Sequence, residues 1–309
     1  MHRKKPAAKT ADRTSAKHPV FAPLTLDFTF KKAFAGEKDK DLLAFLLNIF
    51  LERVLASPIA DVKIIHTSQL GKTRKNRSAI FDIHCEDASG ARFIVEMQVA
   101  EQEHFIKRTF YYLCMSLANI AKKGDGHKYD FPKIYTLSFL EFDLDFGTDC
   151  NEVIQYLSVA NDLHREVRYN FMQMVYVVLA RFDKTKEECK TNIDKMLFVL
   201  KNVQNLKGVP KNFMKNEIKR IFEIAKISNF TEEESMFYDQ EMKYKCDQAA
   251  IMAFAKKKAT EEGMQQGMQQ GMRQGLVLSA KNMLASGYNP DEVSRITKLP
   301  KKEILALRH

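Results

Sequence analysis

Two strand-like runs on either side of a short turn constrain the fold of this 309-residue chain more than any other feature. Residues Ala79–Cys85 and Arg92–Val99 are rich in β-branched and aromatic residues, and Asp87-Ala88-Ser89-Gly90 between them has the composition of a tight turn. The pattern predicts a β-hairpin. Because side chains alternate between the two faces of a strand, each strand then has one apolar face and one face with polar groups.

The polar face of the predicted hairpin brings two carboxylates together. It contains Asp82 and His84 in the first strand, and Glu96 and Gln98 in the second. A turn centred on Ser89 pairs Asp82 with Glu96, with their Cβ atoms about 5 Å apart. Opposed carboxylates repel each other unless a cation lies between them, and Mg²⁺ prefers such oxygen ligands. A solvent-facing hairpin, on which acids and amides are common, is the alternative interpretation.

The elements around the hairpin predict a compact α/β core. Residue patterns indicate an apolar helix that ends near Leu55, a strand over Val62–Leu70, an amphipathic helix over Phe105–Lys122 and a strand over Lys133–Phe142. From about Asn151 onward, helical patterns such as Glu188–Leu206 and Lys211–Ile227 predominate. We therefore expect a helical C-terminal half.

Positive charge is concentrated in two segments of the chain. The formal net charge is +10, and much of it lies in residues 1–20, which have no hydrophobic pattern. A disordered arm along phosphates and a plain solvated tail remain equal alternatives. A second basic cluster falls in a predicted loop and consists of Lys72, Arg74, Lys75 and Arg77. It either contacts a phosphate backbone or is a solvated loop.

The sequence also excludes several classes of protein. Its five scattered cysteines have no C-x-x-C spacing, which indicates reduced thiols in a cytoplasmic protein. No apolar run approaches the roughly 20 residues that span a membrane, and Met1–His18 has no apolar segment typical of a secretory signal. P-loop, nucleophile-elbow and zinc-protease motifs are absent from the sequence.

Several blocks of sequence resemble a known family. Asp82 followed by Glu96-x-Gln98 resembles the PD-(D/E)xK nuclease signature, with Gln98 in the place of the usual lysine. The surrounding blocks resemble the Rpn family of recombination-promoting nucleases, also described as putative transposases. They are DFTFKKAFAGEKDKDLLAFLLNIFL (27–51), IFDIHCED (80–87), GARFIVEMQ (90–98), HFIKRTFYYLCMSLANIAKKGDGHKYDFPKIYTLSFLEF (104–142), LARFDK (179–184) and EEGMQQGMQQGMRQG (261–275). The resemblance covers most of Leu24–Leu307.

This resemblance implies an α/β fold with a restriction-endonuclease-like core, in which helices flank a mixed sheet, followed by an α-helical C-terminal region. We divide the chain into a disordered basic arm (1–20), a nuclease core (21–150), a helical region (151–260) and a glycine-spaced repeat with a small helical tail (261–309). The implied activity is Mg²⁺-dependent DNA cleavage that promotes recombination, with Mn²⁺ or Ca²⁺ as substitute ions. Asp82 and Glu96 would bind the metal, and Gln98 would replace the lysine.

Three further residues are candidates for the site. Asp27 either completes a metal site or forms a salt bridge or helix cap. His84 either contacts metal or phosphate or is a packed bystander. Arg108 either reaches a DNA phosphate or forms an ordinary ion pair.

The C-terminal region leaves more alternatives open. Gly263, Gly267, Gly271 and Gly275 recur every four residues, which predicts either self-association of copies through close helix contact or a flexible linker. Met283–Leu307 resembles a small helix-turn-helix that adds DNA contact or dimerisation, or else a packed helical tail. For the whole chain, the rival of a nuclease is a non-catalytic DNA-binding or assembly protein on a degenerate nuclease core.

Overall fold

A computed structural model of the chain describes residues 19–65, 83–101, 103–121, 131–147, 151–164 and 168–307. Asp82 and the basic cluster of Lys72, Arg74, Lys75 and Arg77 lie outside the described residues, as do residues 1–18 of the predicted arm. The strands are β1 (Val62–Ile64), β2 (Ile83–Asp87), β3 (Arg92–Gln98), β4 (Ile134–Leu140), β5 (Ile154–Ala160) and β6 (Arg168–Val178). The helices are α1 (Asp27–Phe34), α2 (Lys40–Leu51), α3 (Phe105–Ala121), α4 (Asn192–Asn202), α5 (Asn216–Ala225), α6 (Glu232–Ala285), α7 (Pro290–Thr297) and α8 (Lys301–Ala306).

The strands of the described residues form one mixed sheet in the order β1-β2-β3-β4-β6-β5. β3 and β6 both run parallel to β4, whereas the pairs β1–β2, β2–β3 and β5–β6 are antiparallel. Helices flank this sheet and a long helix follows it in the chain. The predicted fold class, a restriction-endonuclease-like core followed by a helical region, is confirmed.

The β2–β3 hairpin has the register expected from its turn. Cys85 pairs with Phe93 and Glu86 with Arg92, so the described pairs are symmetric about Ser89. The Asp87 carboxylate closes the turn by accepting hydrogen bonds from the backbone N–H groups of Ser89 and Ala91. Gly90 has a φ of 83°, which costs a glycine little. The turn chemistry therefore fixes which side chains of β2 and β3 share a face.

The prediction of helix from residue 151 onward is wrong for the first part of that region. Residues Ile154–Ala160 and Arg168–Val178 form β5 and β6, which complete the sheet on one side. β6 lies between two strands and is buried on both faces over Val175, Tyr176 and Val177. Such a strand has a continuous apolar run instead of a polar alternation, and periodicity alone does not separate it from a buried helix.

The main hydrophobic core lies on the face of the sheet opposite Glu96. Phe139 of β4 is fully buried there and contacts Phe30 of α1 and Phe50 of α2, with ring centroids 5.9 and 5.0 Å apart. Phe93 and Val95 of β3 belong to the same cluster. The apolar face predicted for the hairpin is therefore the face that packs against α1 and α2.

The chain divides into two compact units, residues 1–242 and 243–309, and α6 begins in the first and ends in the second. The four spaced glycines lie inside α6, so this segment is helical, and the linker interpretation is wrong for it. In the second unit, a small core of Ala280, Val293, Leu299 and Ile304 joins the end of α6 to α7 and α8. None of the helices that the structure describes combines the length and the apolar run needed to cross a bilayer.

Candidate active site

Glu96 lies on β3, which β2 and β4 flank in the sheet. Its side chain points to the face opposite the main core, and only 3% of the residue is exposed. His84 of β2, on the same face, is equally buried. The alternative of a solvent-facing hairpin is therefore wrong, because the polar face of the hairpin is covered.

Helix α3 covers this polar face. Phe105, at its first turn, is buried against Leu140 and Tyr176 of the sheet. Two turns further along, Leu113 packs against Ile134. The helix thus crosses the sheet from the end of β4 towards its beginning, and the side chains between these two anchors are held over β3 and β4.

Arg108 of α3 links the helix to two polar residues of β3, Glu96 and Gln98. Its Nη2 donates a hydrogen bond of 3.2 Å to Oε1 of Gln98 and lies 3.8 Å from Oε2 of Glu96. The guanidinium also lies 4.9 Å from the ring centroid of Phe105 and 5.7 Å from that of Tyr112. Burial of a carboxylate is costly unless a charge or hydrogen bonds compensate it, and the Arg108 guanidinium provides such a charge.

Small hydroxyl residues extend the polar face beyond the predicted site. Ser138 of β4 pairs with Glu96 in the parallel ladder, and Thr136 pairs with Ile94. Their hydroxyl groups, and that of Ser116 on α3, are buried and make no hydrogen bond to a described residue. Sequence reasoning missed all three, although Thr136 and Ser138 alternate with Tyr135 and Leu137 in the predicted strand. Only the pairing of β4 with β3 places Ser138 beside Glu96.

His84 is uncharged at neutral pH. Burial and the nearby Arg92 guanidinium lower the pKa of its imidazole to about 4. A neutral imidazole can act as a ligand or hydrogen-bonding group next to Glu96, but it brings no positive charge to this face.

Asp27 belongs to a different surface. It forms an ion pair with Lys31 one turn further along α1, and about half of its side chain is exposed. The buried side of α1 packs through Phe30 on Phe139, on the opposite face of the sheet. Of the two roles predicted for Asp27, the structure therefore shows the salt bridge. Glu96, Gln98, His84 and Arg108 lie together on the other face of the sheet.

The residue types at this face suit a hard divalent cation. Carboxylate and amide oxygens are the ligands that Mg²⁺ prefers, usually with one or two protein carboxylates. Among the described residues, no group of three or more His, Cys, Asp or Glu side chains could hold a metal ion. The second acid of the predicted pair, Asp82, falls outside the described residues.

Comparison with known families gives one match. The model of a family described as PD-(D/E)XK nuclease family transposase matches residues 24–255, well over half of the chain. No match is found among curated proteins or among solved structures. The matched range includes the whole sheet and the face that holds Glu96, Gln98 and Arg108.

Proposed function

The chain belongs to the PD-(D/E)XK nuclease family transposases, and on that premise we propose that it is a metal-dependent DNA endonuclease acting in recombination or DNA mobility. The observation that best supports this activity is the burial of Glu96 beside Arg108 and Gln98 on a central strand. A carboxylate in this position is expensive for stability. Such a cost is typical of a functional site.

In this proposal, Asp82 and Glu96 hold the metal ion. The sequence predicts Asp82 opposite Glu96 through a turn centred on Ser89, and the described pairs of the hairpin follow that register. Mg²⁺ is the proposed cofactor, with Mn²⁺ or Ca²⁺ as substitutes. The ion would supply positive charge against the phosphate and lower the pKa of water. Gln98 would orient the attacking water or contact the phosphate.

The rest of the proposal concerns the partners. Lys72, Arg74, Lys75 and Arg77 would contact the DNA backbone, which gives affinity without sequence information. The basic segment of residues 1–20 would add contacts of the same kind. Copies of the chain would associate through the glycine-spaced repeat of α6, and the protein would act in the cytoplasm.

Plasmid nicking by purified protein tests the activity. Wild type should nick supercoiled DNA with Mg²⁺ and fail with EDTA. Asp82→Ala and Glu96→Gln should each lose at least about 10²-fold in rate, while binding to DNA persists. Glu187→Ala, which removes an exposed carboxylate outside the site, is the matched control and should cut like wild type. Thermal unfolding of each variant verifies folding.

Two outcomes would contradict the proposal in different ways. If Glu96→Gln cuts as fast as wild type, the assignment of the site is wrong. If wild type binds DNA tightly but never nicks it, the protein is a DNA-binding or assembly protein on a degenerate nuclease core. The presence of glutamine at position 98, where the family signature has lysine, favours this second function.

A further inference from the structure

The positive charge beside Glu96 comes from α3, because the signature position of the lysine on β3 holds a neutral residue. In the PD-(D/E)xK signature the lysine follows the acid by two residues on the same strand, and here that position is Gln98, a neutral residue. The cation nearest to Glu96 in the described contacts is the Arg108 guanidinium, 3.8 Å away. We propose that Arg108 is a positioning residue that replaces the lysine: it holds Gln98 and sets a fixed positive charge beside Glu96. This inference rests on the proposed function.

The contacts of Arg108 fix its guanidinium in one place. Phe105 and Tyr112, one turn away on either side along α3, both place a ring within 6 Å of it. Phe105 is itself anchored in the sheet. A guanidinium stacked in this way loses little further entropy when it binds a carboxylate or an amide. The charge is therefore held in position before any substrate arrives.

The hydrogen bond to Gln98 orients the amide. Oε1 accepts from Arg108, so the amide nitrogen lies on the other side of the side chain. In this orientation the Gln98 amide has N–H groups, not an acceptor, on the side away from Arg108. Gln98 and Arg108 together then provide what a lysine provides alone, namely a donor and a positive charge.

A second feature of Arg108 favours a functional role. Its Nε is buried and donates no hydrogen bond to any residue that the structure describes. An arginine that serves only to join a helix to a sheet normally satisfies its buried donors, because each unsatisfied one costs free energy. The position of this guanidinium is better explained by the charge that it brings to Glu96.

A role as a fixed charge and a purely structural role of Arg108 predict opposite changes in metal affinity when Arg108 is removed. A fixed positive charge next to a metal ligand repels a divalent cation, so its removal should tighten metal binding while slowing cleavage. If Arg108 only fixed the position of Glu96, its removal would loosen the ligand and weaken metal binding. Mn²⁺ affinity therefore separates the two roles without reference to activity.

The experiment uses full-length protein and three changes: Arg108→Met, Arg108→Lys, and Gln98→Lys combined with Arg108→Met. Mn²⁺ binding is measured by calorimetry without DNA, and single-turnover nicking is measured with Mg²⁺. Arg108→Met should bind Mn²⁺ several-fold more tightly and cut about 10²-fold more slowly, with little change in the KM for DNA. Arg108→Lys should be intermediate in both. The double variant, with its lysine back on β3, should recover both properties.

Arg220→Met is the matched control. Arg220 is a half-exposed arginine of α5 that pairs with Asp39 and Asp41, and its loss should change neither Mn²⁺ affinity nor nicking. Equal or weaker Mn²⁺ binding by Arg108→Met, or no recovery in the double variant, would overturn the inference. If Mn²⁺ affinity changes among the variants as expected but wild type does not nick DNA, the proposed function alone is refuted. Wild type that binds no Mn²⁺ would refute both.

Discussion

At the scale of single residues, Glu96, Gln98 and Arg108 act as one group. Gln98 accepts a hydrogen bond from the Nη2 of Arg108, and the same Nη2 lies near Glu96. A change at any of the three residues therefore alters the environment of the other two. Effects of substitutions among residues in such a network are not additive. Replacing Gln98 by lysine, the residue of the family signature, should therefore change the properties of this chain.

Gln98→Lys in the otherwise unchanged protein should be destabilising. The new ammonium would lie next to the Arg108 guanidinium, which is 29% exposed, and two like charges so close repel each other. We expect a loss of about 1 kcal/mol, seen as a Tm lower by a few degrees. Gln98→Met, which has no charge, should unfold at a higher temperature than Gln98→Lys. Equal Tm values for the two variants would contradict the expected repulsion.

Substitution of Phe139 measures how much the main hydrophobic core beneath the site contributes to stability. It is fully buried between Phe30 and Phe50, and it follows Ser138 on β4. Phe139→Ala should lower the free energy of unfolding by about 3–5 kcal/mol, because a cavity remains. Chemical denaturation measures this loss. Leu163→Ala, at a residue that is 88% exposed, is the control and should change stability by less than about 0.5 kcal/mol.

At the scale of elements, the N-terminus of α4 couples stability to pH. Thr191 and Asp194 form a reciprocal capping box, and Lys184 donates to the Asp194 carboxylate over 2.7 Å. Burial raises the pKa of Asp194, but the hydrogen bonds from Lys184 and Thr191 outweigh it, so its pKa is below the usual 3.8. The stabilisation is thus complete above about pH 4 and is lost as the pH falls through the lowered pKa.

Asp194→Asn should therefore cost about 1 kcal/mol at neutral pH and almost nothing in strong acid. Thermal unfolding of wild type and variant between neutral pH and the acid limit of the fold would show the two Tm curves converging below about pH 4. The exposed Asp183→Asn is the control, and its Tm should follow that of wild type throughout. A difference that persists unchanged into acid would indicate that the charge of Asp194 is not what stabilises the helix.

Some of these elements could be predicted from the sequence, and others could not. The register of the β2–β3 hairpin follows from local chemistry, since Asp87 and Gly90 fix the turn and alternation fixes the faces. By contrast, β6 is buried on both faces and lacks alternation. The partners of Arg108 depend on how α3 crosses the sheet, which no local pattern encodes. Glu96 and Gln98 could therefore be predicted as a pair, but neither the burial of Glu96 nor the contacts of Arg108 could.

At the scale of the whole molecule, α6 contains glycines that its own chain does not require. A Cβ added at Gly263, Gly267, Gly271 or Gly275 would meet nothing within 4 Å. Each glycine costs a helix about 1 kcal/mol relative to alanine. Beside each of them lies an exposed apolar side chain, and these are Met264, Met268, Met272 and Leu276. Repeated small residues next to apolar ones permit the backbone of a second helix to approach closely.

Replacement of all four glycines by alanine should thus have two opposite effects. It should raise the helicity and thermal stability of α6 within one copy, by up to about 1 kcal/mol for each site, and it should weaken association between copies because methyl groups keep the backbones apart. Circular dichroism measures the first effect, and light scattering on a sizing column measures the second. Alanine at exposed Gln265, Gln266, Gln269 and Gln270 is the control, which leaves the glycines in place and should preserve association. A wild type that remains monomeric at high concentration, or an alanine variant that associates equally well, would show that the glycine spacing does not serve assembly.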